Sequence, residues 1–360
     1  MWRSALGLAA RIGGQVWRSG AGGIGWILPC SAKCMMLLQG KGEKAVFMVR
    51  DKKISCVILN YNDAETTKKL VKAIYGYGSL DSVVVVDNGS GDDSLKQLKD
   101  MAGKMAKEIA KETAEEVEQE GEDRLILLEA KRNGGYGAGN NLGVWYSCQV
   151  LGADYVLIAN PDVEFSDKLV SRLALLLKSH PKLGAVSAAM EDPVYGRQRN
   201  GWPMHGFWGS LARSGPVSRR LFGKALEYGG RYFQGKQAVY VDALHGSLLM
   251  VDGAKFKECG GYDEGVFLYN EEEILGARLK GKGYKSALLL TDSYVHRHSQ
   301  SISKTYQGAW QRQKLRNKSA LYYYRKYLKV NWLKELAARG FFQIVRLEIW
   351  LCGRVLGMRF

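Results

Sequence analysis

The chain has 360 residues, enough to bury a sizeable core and to hold one large domain or two modest ones. Its formal net charge of +16 with 46% hydrophobic residues is that of a globular protein with an anionic partner: nucleic acid, an anionic membrane surface or a phosphate-bearing substrate. No run of about eighteen uncharged apolar residues occurs, which argues against a transmembrane helix, and the six cysteines lack the second close pair that a zinc site needs.

Residues 1–50 mix Gly, Arg and Trp. Arg11 and Arg18 interrupt any secretory apolar region, so this stretch reads as a poorly ordered N-terminal extension. The pattern turns regular at Ile54. The apolar run Ile54 to Leu59 predicts a buried strand, ended by Asn60-Tyr61-Asn62-Asp63. Helical spacing follows over Thr66 to Tyr75. Further buried strands are predicted at Val83 to Val86, Leu125 to Leu128 and Tyr155 to Ile158. Short all-apolar strands alternating with helices predict a parallel α/β sheet covered on both faces, with ligands at the carboxyl ends of its strands. Cys56 sits within the first strand and reads as a small core residue, and cysteine usage fits a reducing, cytosolic setting.

Between these strands Lys96 to Asp123 is dense in Lys and Glu at i,i+4 spacing and predicts a long solvated helix. Glu191 to Gln237 is rich in Gly, Arg, Trp and Phe without clear periodicity and reads as loops over one face of the sheet. From Arg316 the chain reads as helical, with ten Lys or Arg against two acids and with Trp332, Phe341, Phe342, Ile349 and Trp350 among them.

Four clusters carry chemistry, each with a bland alternative. Asp162 ends the turn Ala159-Asn160-Pro161-Asp162 just past a buried strand, where a carboxylate can hold Mg²⁺ or Mn²⁺ or simply open the next helix. Asp87-Asn88-Gly89-Ser90 can meet a ribose or base, or be a turn. The glycine cluster Arg132 to Asn141 gives Gly135-x-Gly137-x-x-Asn140, a dinucleotide fingerprint without its third glycine and after the wrong strand. Glu271-Glu272-Glu273 suits a first helical turn through the helix dipole, and equally offers a general base; His296 and His298 alternate as on a strand.

In this order the segments resemble the family 2 inverting glycosyltransferases, and within them the rhamnosyltransferase-like branch of envelope polysaccharide synthesis. The resemblance runs from Ile54 to Ser301. It rests on Cys56 to Asn62, Val85 to Ser90, Asn133 to Gly143, Ala159 to Asp162, Gly246-Ser247, Tyr262 to Glu272, and Val295-His296 with Ser301. It implies a GT-A fold over residues 51–303, a mixed and mainly parallel sheet whose nucleotide-binding half ends near residue 165. Residues 304–360 are expected to form a basic amphipathic helical tail.

The resemblance also implies roles. Asn60, Asp63, Asp87, Arg132, Asn133, Gly134 and Asn160 would line the nucleotide-sugar site. Asp162 with His296 would hold Mn²⁺ or Mg²⁺. Glu272, with Glu271 as its neighbour, would supply the base, and Gly246, Ser247 and Tyr269 would meet the acceptor. The expected partners are a dTDP- or UDP-linked sugar and a glycan or polyprenyl-linked acceptor, with no nucleic acid. The expected place is the cytoplasm, peripheral on the inner face of the membrane. Three positions depart from the pattern: Asn160 replaces the first acid of the metal motif, Glu272 is a methylene longer than the usual Asp, and Ile274 stands where an acid is expected. They keep a catalytically silent nucleotide-sugar-binding relative as an alternative. A nucleotide-dependent oxidoreductase is the other, disfavoured by the broken fingerprint.

Overall fold

The computed structural model describes residues 16–18, 24–26, 52–113, 124–297 and 308–355. The chain divides into two compact units, Met1–Asp51 and Lys52–Phe360. In the first, β1 (Val16–Arg18) and β2 (Ile24–Trp26) pair antiparallel; the expectation for residues 1–50 otherwise lies outside the described residues.

The second unit begins with the alternation read from the sequence: β3 (Ile54–Asn60), α1 (Ala64–Ile74), β4 (Ser82–Asp87), α2 (Ser94–Thr113), β5 (Leu125–Glu129), α3 (Tyr136–Gln149) and β6 (Tyr155–Ala159). All four predicted strands form, each longer by one or two residues. The solvated helix forms as far as Thr113, and its expected continuation to Asp123 lies outside the described residues. The strands are apolar on both faces because helices cover both. Cys56, Ile58, Val83 and Val85 enter one core layer, and Val57, Val84, Val86 and Val144 enter the other.

The chain continues through β7 (Val163–Glu164), α4 (Asp167–Ser179), β8 (Leu183–Asp192), β9 (Gly196–Gln198), β10 (Gly201–Trp202), α5 (Phe207–Arg213), α6 (Pro216–Phe222), α7 (Gly230–Phe233), β11 (Ala238–Val241), β12 (Ala243–Leu244), β13 (Leu248–Asp252), α8 (Gly253–Glu258), α9 (Glu271–Gly281), β14 (Lys285–His296), α10 (Ala309–Lys326) and α11 (Trp332–Val355). The main sheet runs β11-β14-β8-β13-β6-β3-β4-β5. β6, β3, β4 and β5 are mutually parallel. β13 inserts antiparallel to both β6 and β8. The chain leaves β3 toward β4 on one side and returns to β6 on the other, so a crevice opens at the carboxyl end of β3.

The segment Glu191 to Gln237, expected as loops, instead holds β9, β10, three short α-helices and a 3-10 helix at Gly223–Leu226. Helices of four to seven residues are too short to show a hydrophobic period, and they owe their stability to tertiary packing. Phe207 and Leu211 of α5 are buried with Val266, Ile274, Ala320, Tyr324, Ala338 and Phe342, so the same cluster fastens α10 and α11 to the sheet domain. Asp263 ties the joint. Its carboxylate accepts from Lys326 Nζ at 2.8 Å, Tyr327 Oη at 2.6 Å and Tyr322 Oη at 3.0 Å, and pairs with Arg278 at 3.2 Å. Burial opposes ionisation there, but these donors outweigh it and hold the carboxyl well below the usual carboxylate range. No helix among the described residues is long and apolar enough to cross a membrane.

Candidate functional site

Strand register assembles the site. Asn60 at the end of β3 stands opposite Asp87 at the end of β4. Antiparallel β13 brings Leu248 opposite Ala159, so the backbone N–H of Asn160 donates to the carbonyl of Ser247 at 2.8 Å. The last residue of β14, His296, pairs with Val163. Three segments remote in sequence, 160–162, 245–247 and 296, therefore meet at one point beyond the sheet.

At that point His296 Nε2 lies 3.3 Å from Asp162 Oδ1, both side chains almost buried. The set is one carboxylate and one imidazole, and among the described residues no group of three or more His, Cys, Asp or Glu is arranged to hold a metal ion. This fits a hard cation that completes its shell with phosphate oxygens and water, which is how Mg²⁺ is commonly held on one or two carboxylates. His245 stands beside the pair. Its ring centroid is 5.6 Å from that of His296 and 6.5 Å from that of Trp202. Ser247 is fully buried, 2.8 Å from His245 Nδ1, and its hydroxyl is 2.6 Å from that of Tyr294. Ser247 thus orients His245 from below rather than facing open space.

Asp87 is 1% exposed, and both its oxygens accept from its own turn or from Asn60: Asn60 Nδ2 at 2.8 Å, Ser90 Oγ at 2.6 Å, Ser90 N–H at 3.0 Å. Asn60 is in turn fixed by Thr67, whose hydroxyl donates to it at 2.8 Å. Asp63 accepts from Thr66 at 2.9 Å. Asn133 accepts from Asn88 Nδ2 at 3.1 Å and from the Gly135 N–H at 2.9 Å, and Gly134 approaches Asn88 at 3.4 Å; Arg132 is exposed. Asn60, Asp63, Asp87, Asn133 and Gly134 therefore belong to one hydrogen-bonded group linking the ends of β3 and β4 with the glycine cluster, while Asn160 bonds instead to Ser247.

The glycines of that cluster serve close approach to other chain segments. Gly135, at φ +90°, leaves no room for a side chain: a Cβ would sit 2.2 Å from the Phe267 carbonyl, to which Tyr136 N–H donates at 3.0 Å. At Gly139 and Gly143 a Cβ would strike Leu59 and Val57, so helix α3 lies directly on β3. The missing third glycine of a dinucleotide fingerprint is thus explained, because these glycines answer to packing.

The contact with Phe267 also fixes the second carboxylate cluster. Tyr269 (φ +70°) and Asn270 (φ +67°) are consecutive left-handed residues, a costly conformation for non-glycine side chains that recurs where a site is held in place. They launch α9. Glu271 turns inward and is buried; desolvation, then the charge of Glu272, push its carboxyl well above the usual range. Glu272 lines a cavity of about 350 Å³ together with Tyr269. Burial and then the neighbouring Glu273 push its carboxyl up to about 7. Its Oε1 lies 3.4 Å from the Gly246 N–H, and the Gly246 carbonyl accepts from Tyr136 Oη at 2.6 Å. Gly246 joins the Glu271–Glu273 cluster to the Asp162–His296 pair through the single segment 245–247.

Sequence reading missed His245, Trp202, Tyr136 and Tyr294. His245 was within reach, since it precedes the Gly246-Ser247 pair already singled out. Trp202, whose indole N–H donates to Glu273 Oε1 at 3.1 Å, had no local signal. His298, two residues beyond His296, lies outside the described residues, as does Ser301.

Comparison with known proteins agrees with this architecture. The low-salt glycan biosynthesis hexosyltransferase Agl10 of Haloferax volcanii is 27% identical over 222 residues, 61% of this chain and 59% of that protein. The N-acetylglucosaminyl-diphospho-decaprenol L-rhamnosyltransferase of Mycobacterium tuberculosis is 29% identical over 195 residues, 49% of this chain and 60% of that one. The chain thus spans about three fifths of the length of these relatives. Among solved structures, GalNAc-T7 with UDP, GalNAc and Mn²⁺ superposes with a TM-score of 0.50 at 14% identity, over 69% of this chain and 44% of that one, a likeness of fold. The sheet order and flanking helices are those of the GT-A fold expected from the sequence. Residues 55–242, more than half of the chain, match one family, and the chain belongs to glycosyl transferase family 2.

Proposed function

We propose that this protein transfers a hexose or deoxyhexose, rhamnose among them, from a dTDP- or UDP-linked donor to a glycan or polyprenyl-linked acceptor, with inversion. The observation that carries the reading is the convergence on residues 245–247. Asp162 with His296 stands on one side of this segment and Glu272 on the other, held by hydrogen bonds from Asn160 and Gly246. The half to about residue 165 binds the nucleotide through Asn60, Asp63, Asp87, Arg132, Asn133, Gly134 and Asn160. The later half binds the acceptor against Gly246 and Tyr269, and Ser247, expected there from the sequence, serves from beneath by positioning His245.

In the reaction the acceptor hydroxyl oxygen bonds to the anomeric carbon as the bond from that carbon to the diphosphate breaks, and the bonding pair leaves with the diphosphate. Glu272 takes the hydroxyl proton. Asp162 and His296 would hold Mn²⁺ or Mg²⁺, which when bound supplies positive charge beside the diphosphate. The test is a panel of nucleotide sugars with and without Mn²⁺. One donor raises the melting temperature by several degrees only with the metal, and that donor is consumed when acceptor is present. Stabilisation by a donor without turnover on any acceptor would identify a silent binding protein instead.

The protein acts, on this reading, at the inner face of the membrane. Helix α11 buries Ala338, Phe342, Val345 and Ile349 and turns the opposite side outward. That outer side carries Leu333, Leu336, Ile344, Leu347 and Leu351, each exposed and all on one face at helical spacing, with Trp332 and Trp350 along one margin. Lys334 and Arg339 flank the stripe. A basic helix with an apolar stripe and tryptophans lies in the interface of an anionic bilayer. The native protein floats with phosphatidylglycerol vesicles, less at high salt, and the triple variant Leu336→Glu, Ile344→Glu, Leu347→Glu does not. Equal flotation of both, or none by the native chain, rules the helix out as an anchor.

A further inference from the structure

Residues 245–247 carry the site but belong to no strand. β12 ends at Leu244 and β13 begins at Leu248, so no ladder sets the backbone between them. The two ends of the segment are tied by main-chain bonds. The His245 N–H donates to the Asn200 carbonyl at 3.0 Å, and the Ser247 carbonyl accepts from the Asn160 N–H at 2.8 Å. Gly246, in the middle, depends on a side chain. Its carbonyl accepts from the hydroxyl of Tyr136, 110 residues away in the chain, at 2.6 Å.

Tyr136 also holds the other side of the contact between Gly246 and Glu272. It is the first residue of α3, where a backbone N–H has no partner within its own helix. That N–H donates instead to the carbonyl of Phe267, two residues before the left-handed pair Tyr269-Asn270 that launches α9. One residue thus grips Gly246 with its hydroxyl and the approach to Glu272 with its main chain. The fit between them is close: a Cβ added to Gly246 would lie 3.0 Å from Tyr136 Oη and 3.5 Å from Glu272 Oε1. The ring of Tyr136 stands edge-on to that of Tyr262, with centroids 5.6 Å apart, and does not line the cavity that Glu272 lines. On the nucleotide side the preceding residue, Gly135, accepts from Asn88 Nδ2 at 3.1 Å, so the same short stretch of chain anchors both halves of the site.

We propose that Tyr136 is a positioning residue for the transfer: it fixes the separation of Gly246 from Glu272, and with it the reach of the base to the acceptor hydroxyl. The inference rests on the transferase reading with Glu272 as base, and adds the residue that aims it. A general base must stand within hydrogen-bond distance of the proton it takes. A displacement of about 1 Å from that geometry can cost about a hundredfold in rate. The hydroxyl matters apart from the ring, because phenylalanine keeps the edge-on packing and leaves the Gly246 carbonyl without its bond.

The experiment is steady-state transfer by the full chain with the donor found in the nucleotide-sugar panel. Tyr136→Phe lowers kcat about tenfold or more and leaves KM for donor and acceptor within about twofold. The Mn²⁺-dependent rise in melting temperature with donor stays as in the native chain, a result that a general loosening of the fold would not give. Gly246→Ala keeps the hydroxyl but forces it away from the carboxylate, and it also lowers kcat. In a Glu272→Gln background neither change slows transfer further, since no base is left to aim. A native kcat in both variants overturns the proposal. So does a further loss in the Glu272→Gln background, which would give Tyr136 a role apart from the base, or a raised KM at unchanged kcat, which would make it a binding residue. A Glu272→Gln chain as fast as the native one removes the base and this inference together; a crippled Glu272→Gln beside an unimpaired Tyr136→Phe removes the inference alone.

Discussion

Asp162→Ala lowers sugar transfer about a thousandfold while the protein stays folded. Positive charge beside a departing diphosphate contributes several kcal/mol to the transition state, and each ~1.4 kcal/mol is a factor of ten in rate. Asp162 offers the one carboxylate next to His296 in the Asp162–His296 pair, at 3.3 Å. The local backbone survives the change, because the Asp162 carbonyl, which accepts from the Arg297 N–H at 3.0 Å, is untouched. Two readouts check this: transfer at saturating Mn²⁺, and the Mn²⁺-dependent rise in melting temperature with donor, which the variant loses. Turnover like that of the native chain would place the metal elsewhere.

Glu272→Gln costs about a hundredfold or more in transfer and leaves donor affinity unchanged, since it keeps the shape of the side chain and removes the proton acceptor. The pH dependence gives an independent check. A base works ionised, and burial with the neighbouring Glu273 lifts this carboxyl to about 7. Transfer measured as kcat/KM therefore rises about tenfold per pH unit below 7 and levels above it, and the rising limb disappears in the variant. Stability runs the other way. A carboxyl raised on folding binds its proton more tightly folded than unfolded, so its contribution is fullest below the ordinary carboxylate pKa and is lost as pH rises through about 7. Glu271, also raised, adds in the same direction. Glu271→Gln keeps activity, because Glu271 is turned into the protein interior and does not line the cavity. A crippled Glu271→Gln beside an active Glu272→Gln would move the base by one residue.

The sequence by itself determined the parallel core of this protein. Strands buried on both faces must be continuous apolar runs, and Ile54–Asn60, Ser82–Asp87, Leu125–Glu129 and Tyr155–Ala159 announce themselves that way. The polar residues that end them, Asn60, Asp87 and Asn160 with Asp162, were legible for the same reason, since a polar cluster directly after such a run has nowhere to go but the strand ends. Tertiary structure alone decided the rest. The short helices α5, α6 and α7 have too few turns to show a period, and α5 stands because Phe207 and Leu211 find partners more than a hundred residues away in α10 and α11. The inward turn of Glu271 and the cavity position of Glu272 follow from where the left-handed pair Tyr269-Asn270 launches α9, and one residue along a helix is about a hundred degrees of direction. The joining of Asp162 to His296 depends on the antiparallel insertion of β13 and the length of β14, which are pairings between strands and leave no mark on either strand's own sequence. The cavity that Glu272 lines is the clearest case, for Arg213 of α5, Arg219 of α6 and Arg316 of α10, scattered over a hundred residues, come to one wall only when three helices dock.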